Sequence, residues 1–187
     1  EKVAPVWFQV DPSVIDKQDP DCVWRVRSRV VPNKQGRKGR GRERETIYEL
    51  WSPVRWVALL VKLQLPLRTF QVRMLDSGEA DTWRWQNGDW SVNQSPLAKG
   101  SEARPHSNGV FLRPNQLVDG DSKVLLHINT NKTADIGKEG NQKGYNVPWI
   151  LGGPLHQDPF YWLEKLRCWQ EKYNPISRLT KWQELDA

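Results

Sequence analysis

Two strand-like runs, CVWRVRSRVV and TIYELW, lie between Cys22 and Trp51 and flank a loop rich in Gly, Lys and Arg, PNKQGRKGRGRERE. Side-chain alternation with period two specifies a strand with two distinct faces. On the first run it puts Cys22, Trp24, Val26, Ser28 and Val30 on one face, read as buried, and Arg25, Arg27 and Arg29 on the other. The stretch is therefore expected to be a hairpin. From Arg25 to Arg44 it carries nine basic residues, the further six being Lys34, Arg37, Lys38, Arg40, Arg42 and Arg44, against the single acid Glu43. That gives the segment a net charge of +8 in a chain whose total is +6, so everything outside it sums to −2. The basic character belongs to one hairpin.

A length of 187 residues suits one domain. Only 37% of the residues are hydrophobic, but 11 Trp can supply core area that the aliphatic residues lack. The longest apolar stretch, Trp56 to Leu65, is interrupted by Lys62 and Gln64, so no membrane span is expected. The chain begins at Glu1 without Met, which fits processing, and no signal peptide is visible. Two cysteines cannot form a structural zinc site alone, and His106, His127 and His156 show no ligand spacing; no metal or cofactor is expected. Cys22 and Cys168 are read either as a disulfide closing a long loop or as two separate buried thiols.

Along the chain, VWFQV at Val6–Val10 reads as a strand. Arg55–Leu65 carries no period, and its flanking prolines and valines favour a strand over a short helix. Thr69–Leu75 alternates and is also read as a strand. Thr82–Val92 contains Asn87-Gly88 between TWRWQ and DWSV, which predicts a two-residue hairpin, because Asn-Gly supplies the positive φ angles of a type I′ turn. Its Trp83, Trp85 and Trp90 form either a core seam or an aromatic platform for a base or sugar. Short strands are expected at Val110–Arg113 and Lys123–Asn129, and Val147–Leu151 reads as a last strand or a bend. Asp119–Ser122 reads as a turn, since no glutamate completes a calcium loop. Asp158-Pro159 caps a helix running to Tyr173, and Ser177–Leu185 suggests a second. The fold class expected is α+β: a mainly antiparallel β body over residues 1–151, with a basic loop at 32–45, and a helical segment at 152–187 belonging to the same domain.

No phosphate-binding, dinucleotide, zinc-protease or nucleophile-elbow motif occurs, and nothing marks Cys22 as a nucleophile, so the chain is read as a non-enzyme. Three arginines on one strand face stand about 6.5–7 Å apart, close to the phosphate spacing of a nucleic-acid strand. The function expected is a binding module for a polyanion, RNA favoured, using Arg25, Arg27, Arg29, Lys34, Arg37, Lys38, Arg40, Arg42 and Arg44. The competing account of the arginine row is pairing with Glu43, Glu45 and Glu49 across the hairpin. Two other functions stay open: a viral accessory or regulatory adaptor between proteins, anchored by Trp and Arg on an acidic partner surface, and a processed extracellular or virion-surface receptor-binding domain. The last would use the Asn131-Lys132-Thr133 sequon for a glycan. The compartment follows the function: cytoplasmic or nuclear for nucleic-acid binding, secreted or virion-surface if Asn131 is glycosylated.

Overall fold

The structure, a computed structural model, describes residues 6–32, 42–114, 123–139, 142–147 and 152–173. The protein is α+β, with antiparallel sheets and, among the described residues, three α-helices, one of them near the C-terminus. It divides into two compact units, Glu1–Arg55 with Cys168–Ala187, and Trp56–Arg167. The end of the last helix, from Cys168, falls in the first unit, where it packs with the N-terminal sheet.

In the first unit, strands β1 (Trp7–Val10), β2 (Trp24–Pro32) and β3 (Arg42–Trp51) form one antiparallel sheet in the order β1-β3-β2. β2 pairs with β3 from Trp24↔Leu50 to Pro32↔Arg42. The hairpin forms as expected, but residues 42–45, read as part of the loop 32–45, belong to β3, because they continue the ladder opposite Arg29–Pro32. β1 covers only the Tyr48–Trp51 end of β3. Beyond Ile47, β2 and β3 are paired only with each other among the described residues. The face expected to be buried is therefore buried only at its root. Cys22 is buried and Trp24 half-buried, but Val26 and Val30 are 50% and 52% exposed. Period two identifies the two faces of a strand, but burial needs a covering layer, and the ribbon runs past its own. At the root, Phe8 meets Trp169 edge-on at 6.2 Å. Lys172 Nζ and the Tyr173 hydroxyl both donate to Asp19 Oδ2 at 2.7 Å.

The second unit opens within helix α1 (Val54–Gln64), followed by α2 (Thr69–Arg73). Both replace expected strands. In α1, Val57 and Val61 are buried, followed by Leu65, while Trp56, Leu59 and Leu63 are 57%, 47% and 77% exposed. Burial thus recurs every four residues in a run whose uniform apolarity hides the period. In α2, Gln71 is buried and Phe70 exposed, while Val72 packs against the core, so burial does not follow the alternation. The Gln71 side chain sets the conformation: Oε1 accepts from Arg68 N at the helix start, and Nε2 donates to Thr130 O and to Tyr145 Oη.

The hairpin β4 (Trp83–Gln86) and β5 (Asp89–Val92) forms as expected, with Asn87 at φ 52° and Gly88 at φ 78°. Two-residue strands β6 (Gly100–Ser101) and β7 (Arg104–Pro105) pair next. Then β8 (Phe111–Leu112), β9 (Leu125–Ile128) and β10 (Tyr145–Val147) make a sheet in the order β10-β9-β8. Helix α3 (Pro159–Tyr173) follows, with the expected cap: Phe160 N donates to Asp158 Oδ1 at 2.9 Å. The core of this unit gathers Val57, Val61, Leu65, Trp85, Phe111, Leu126, Ile128 and Phe160. Arg167, buried in α3, donates to Trp85 O, and its guanidinium lies over Phe111.

Candidate functional site

The first candidate is the β2–β3 ribbon. Its arginine row is not uniform. Arg25 stands opposite Glu49, its Nε 2.6 Å from Oε2, and its guanidinium lies 4.1 Å from the centre of the Trp7 ring. Arg27 reaches the other oxygen of the same carboxylate at 3.8 Å. The competing account therefore holds at the root: Arg25 is a structural cation, sandwiched between a carboxylate and an aromatic face. Further out, Arg29 opposite Glu45, and Arg44 opposite Val30, are exposed. Ser28 and Thr46, and Val26 and Val30 on the same face, are exposed too. Arg42 pairs through its backbone with Pro32. Lys34, Arg37, Lys38 and Arg40 lie outside the described residues.

The second candidate is a cleft of about 540 Å³ in the second unit, within the range of small-molecule sites. Its aromatic lining comes from β4 and β5. Trp85 is buried, whereas Trp83 and Trp90 are half-buried and line the cleft. The tryptophan trio is thus divided, one member in the core and two at a surface. Trp90 meets Trp85 edge-on at 5.4 Å and donates its indole N–H to Lys123 O at 2.6 Å. The Arg113 guanidinium lies 4.0 Å from the Trp83 ring centre, an attraction that fixes the cation against the wall.

Two histidines complete it. His106 rides on a loop held from beneath by two buried side chains. Thr82 Oγ1 accepts from His106 N at 2.8 Å, and Asp81 accepts from Asn108 N at 2.7 Å and Gly109 N at 2.9 Å. Burial pushes the Asp81 carboxyl above its ordinary pKa, and those N–H groups pull it back. His127 comes from β9, where Leu126 and Ile128 point inward and leave His127 on the opposite face. It stands opposite Asn146, and its Nδ1 donates to Asn146 Oδ1 at 3.0 Å, leaving Nε2 as the remaining ring nitrogen. Asn108 Nδ2 lies 3.1 Å from His106 Nε2; since an amide nitrogen only donates, His106 accepts there. Glu102 and Ser107 add polar groups at the edge.

Sequence reading missed His106, Arg113, His127 and Asn146 because they come from separate segments and share no spacing. The signal available was negative: polar residues at His127 and Asn146 interrupt otherwise apolar strands.

A comparison with protein families places almost the whole chain. Residues 1–183 match the model of a family described as "Putative integrase". The chain belongs to this family. No curated protein and no solved structure matches it.

The remaining expected site residues of this integrase-family chain are dispersed. Cys22, buried, and Cys168, half-buried, are free thiols, so the bridge is not formed. Cys22 instead meets the Tyr173 hydroxyl. Asn131 is half-buried and opens a short 3₁₀ turn, Lys132–Asp135. Among the described residues no cluster of His, Cys, Asp and Glu could hold a metal ion, and no helix is long and apolar enough to cross a membrane.

Proposed function

We propose that this chain is a DNA-contacting part of an integrase-family protein, and that the distal β2–β3 ribbon is its contact element. The observation that carries this is the two-sided exposure of the ribbon. Past Ile47 it displays Arg29 and Glu45 on one face and Ser28, Val30, Arg44 and Thr46 across both strands, all exposed, so neither face of this outer part is committed to the protein's own core. A two-stranded ribbon is marginal alone in water, and a ribbon with both faces exposed suits insertion into a groove. The major groove of B-form DNA admits such a ribbon, whereas that of an RNA duplex is too narrow. The family description adds weight, since integration joins DNA. This moves the expected partner from RNA to DNA and leaves binding, not strand chemistry, as the role of the ribbon. Arginines fork onto phosphates, and the sequence between Pro32 and Arg42 adds Lys34, Arg37, Lys38 and Arg40.

Fluorescence anisotropy with a DNA duplex over a salt series tests it. Affinity falls linearly on a log–log scale, by about 0.9 for each phosphate neutralised. Replacing Arg37, Arg40 and Arg42 with Ala reduces that slope, and an RNA duplex binds more weakly than DNA. Equal affinity and slope for variant and wild type would overturn the proposal and favour a protein partner, where the same arginines meet carboxylates.

A further inference from the structure

The cleft in the second unit is not used by the ribbon reading, and its composition is specific. It places two half-buried indoles, Trp83 and Trp90, beside one guanidinium held in position, Arg113, and two imidazoles, His106 and His127. From these we propose that the cleft binds one nucleotide unit, a planar base joined through its sugar to a phosphate.

The chemistry divides between the walls. Indole rings bind nucleobases by stacking, which tolerates any base because every base has a π-face. Arg113 supplies N–H groups in a plane that matches phosphate oxygens. His127 has one nitrogen committed to Asn146, which orients the ring. His106 is positioned by Thr82, through its backbone, and by Asn108. Glu102 is an acceptor, suited to a sugar hydroxyl or an exocyclic amine rather than to phosphate. The supports are rigid: Asp81 and Thr82 are 4% and 6% exposed and hold the His106 loop by its backbone. A site whose groups are fixed before binding loses little entropy in ordering them. The same ligand chemistry has two sources, a free nucleotide or the phosphorylated end of a DNA strand. The first stands whether or not the ribbon contacts DNA.

Calorimetric titration of the full chain with dTMP, thymidine and deoxyribose 5-phosphate tests the proposal. dTMP binds saturably, and each fragment binds at least about tenfold more weakly, having lost the stacking or the charged half of the contact. Arg113→Gln weakens dTMP about tenfold or more and leaves thymidine unchanged. His127→Gln, on a strand rather than a loop, is the second variant, and thermal melting confirms that both are folded. Thymidine equal to dTMP, or wild-type dTMP binding in both variants, overturns the proposal. A short oligonucleotide with a 5′-phosphate, compared with its unphosphorylated twin, assigns the source: displacement of dTMP by the phosphorylated form alone means a strand end, and no displacement means a free nucleotide. The Arg37, Arg40 and Arg42 variant keeps wild-type dTMP binding; if it loses it, the ligand sits on the ribbon and the cleft assignment fails.

Discussion

Asp19 and Asp81 show two opposite uses of a carboxylate. Asp19 accepts from Lys172 and Tyr173, and these hydrogen bonds lower its pKa from the ordinary 3.8 to about 2. A lowered folded-state value stabilises the fold above the unfolded value, and that contribution is lost as pH falls through the folded one. The window is therefore from about pH 4 to about pH 2. The melting-temperature advantage of wild type over Asp19→Asn should shrink across it, and parallel curves would show that the contact contributes nothing. Asp81 has the opposite sign: burial raises its value, so its titration favours the fold at acid pH and that contribution fades as pH rises above 3.8. Its value lies in geometry. Asp81→Ala strands the buried Gly109 N–H, at about 1–3 kcal/mol, and frees the part-buried Asn108 N–H, which water can reach. Gly109→Ala would put a methyl 2.6 Å from Asp81 Oδ2 and from Gly78 Cα, an overpacking cost of about 1–3 kcal/mol. Chemical denaturation of both variants checks the two figures.

Elements were legible in the sequence where local chemistry decides them. Asn87-Gly88 is such a case: both residues take positive φ. A Cβ on Gly88 would meet nothing within 4 Å, so substitution there tests conformation and not space. Gly88→Val should cost about 1–2 kcal/mol in thermal melting, and Gly88→Asn distinctly less, because Asn tolerates the left-handed region. The β2–β3 pairing and the Asp158 cap were legible for the same local reason. α1 and α2 were not. In α1, Leu59 and Leu63 are as apolar as Val57 and Val61, and only packing separates exposed from buried. In α2, the deciding contacts join Gln71 to Thr130 and Tyr145, far along the chain. The cleft failed to show for a related reason. Trp83, His106, Arg113, His127 and Asn146 meet only because a hairpin, a loop and a sheet edge converge, and none of those junctions has a spacing to read.

Across the whole molecule the distribution of charge matters more than its total. The chain is +6, yet without the Arg25–Arg44 segment it is −2. Two electrostatic accounts of the proposed DNA affinity can then be separated. In one, the net charge draws any polyanion to any surface. In the other, one element neutralises a defined set of phosphates. Changing Lys34, Arg37, Lys38, Arg40, Arg42 and Arg44 to Gln takes the formal charge from +6 to zero. So does changing six exposed cations elsewhere: Arg55, Lys62, Arg73, Lys99, Lys123 and Lys138. The two variants share net charge and the number of cations replaced, and differ in place and in the balance of Arg and Lys, four and two in the first against two and four in the second. Under the ribbon reading the first loses DNA binding and most of its salt dependence, while the second keeps a slope close to wild type and loses only the weaker long-range attraction, which added salt already screens. Anisotropy titration of both at low and physiological salt decides between them. Equal losses in the two variants would mean that the net charge carries the affinity and that the ribbon is not a dedicated contact element.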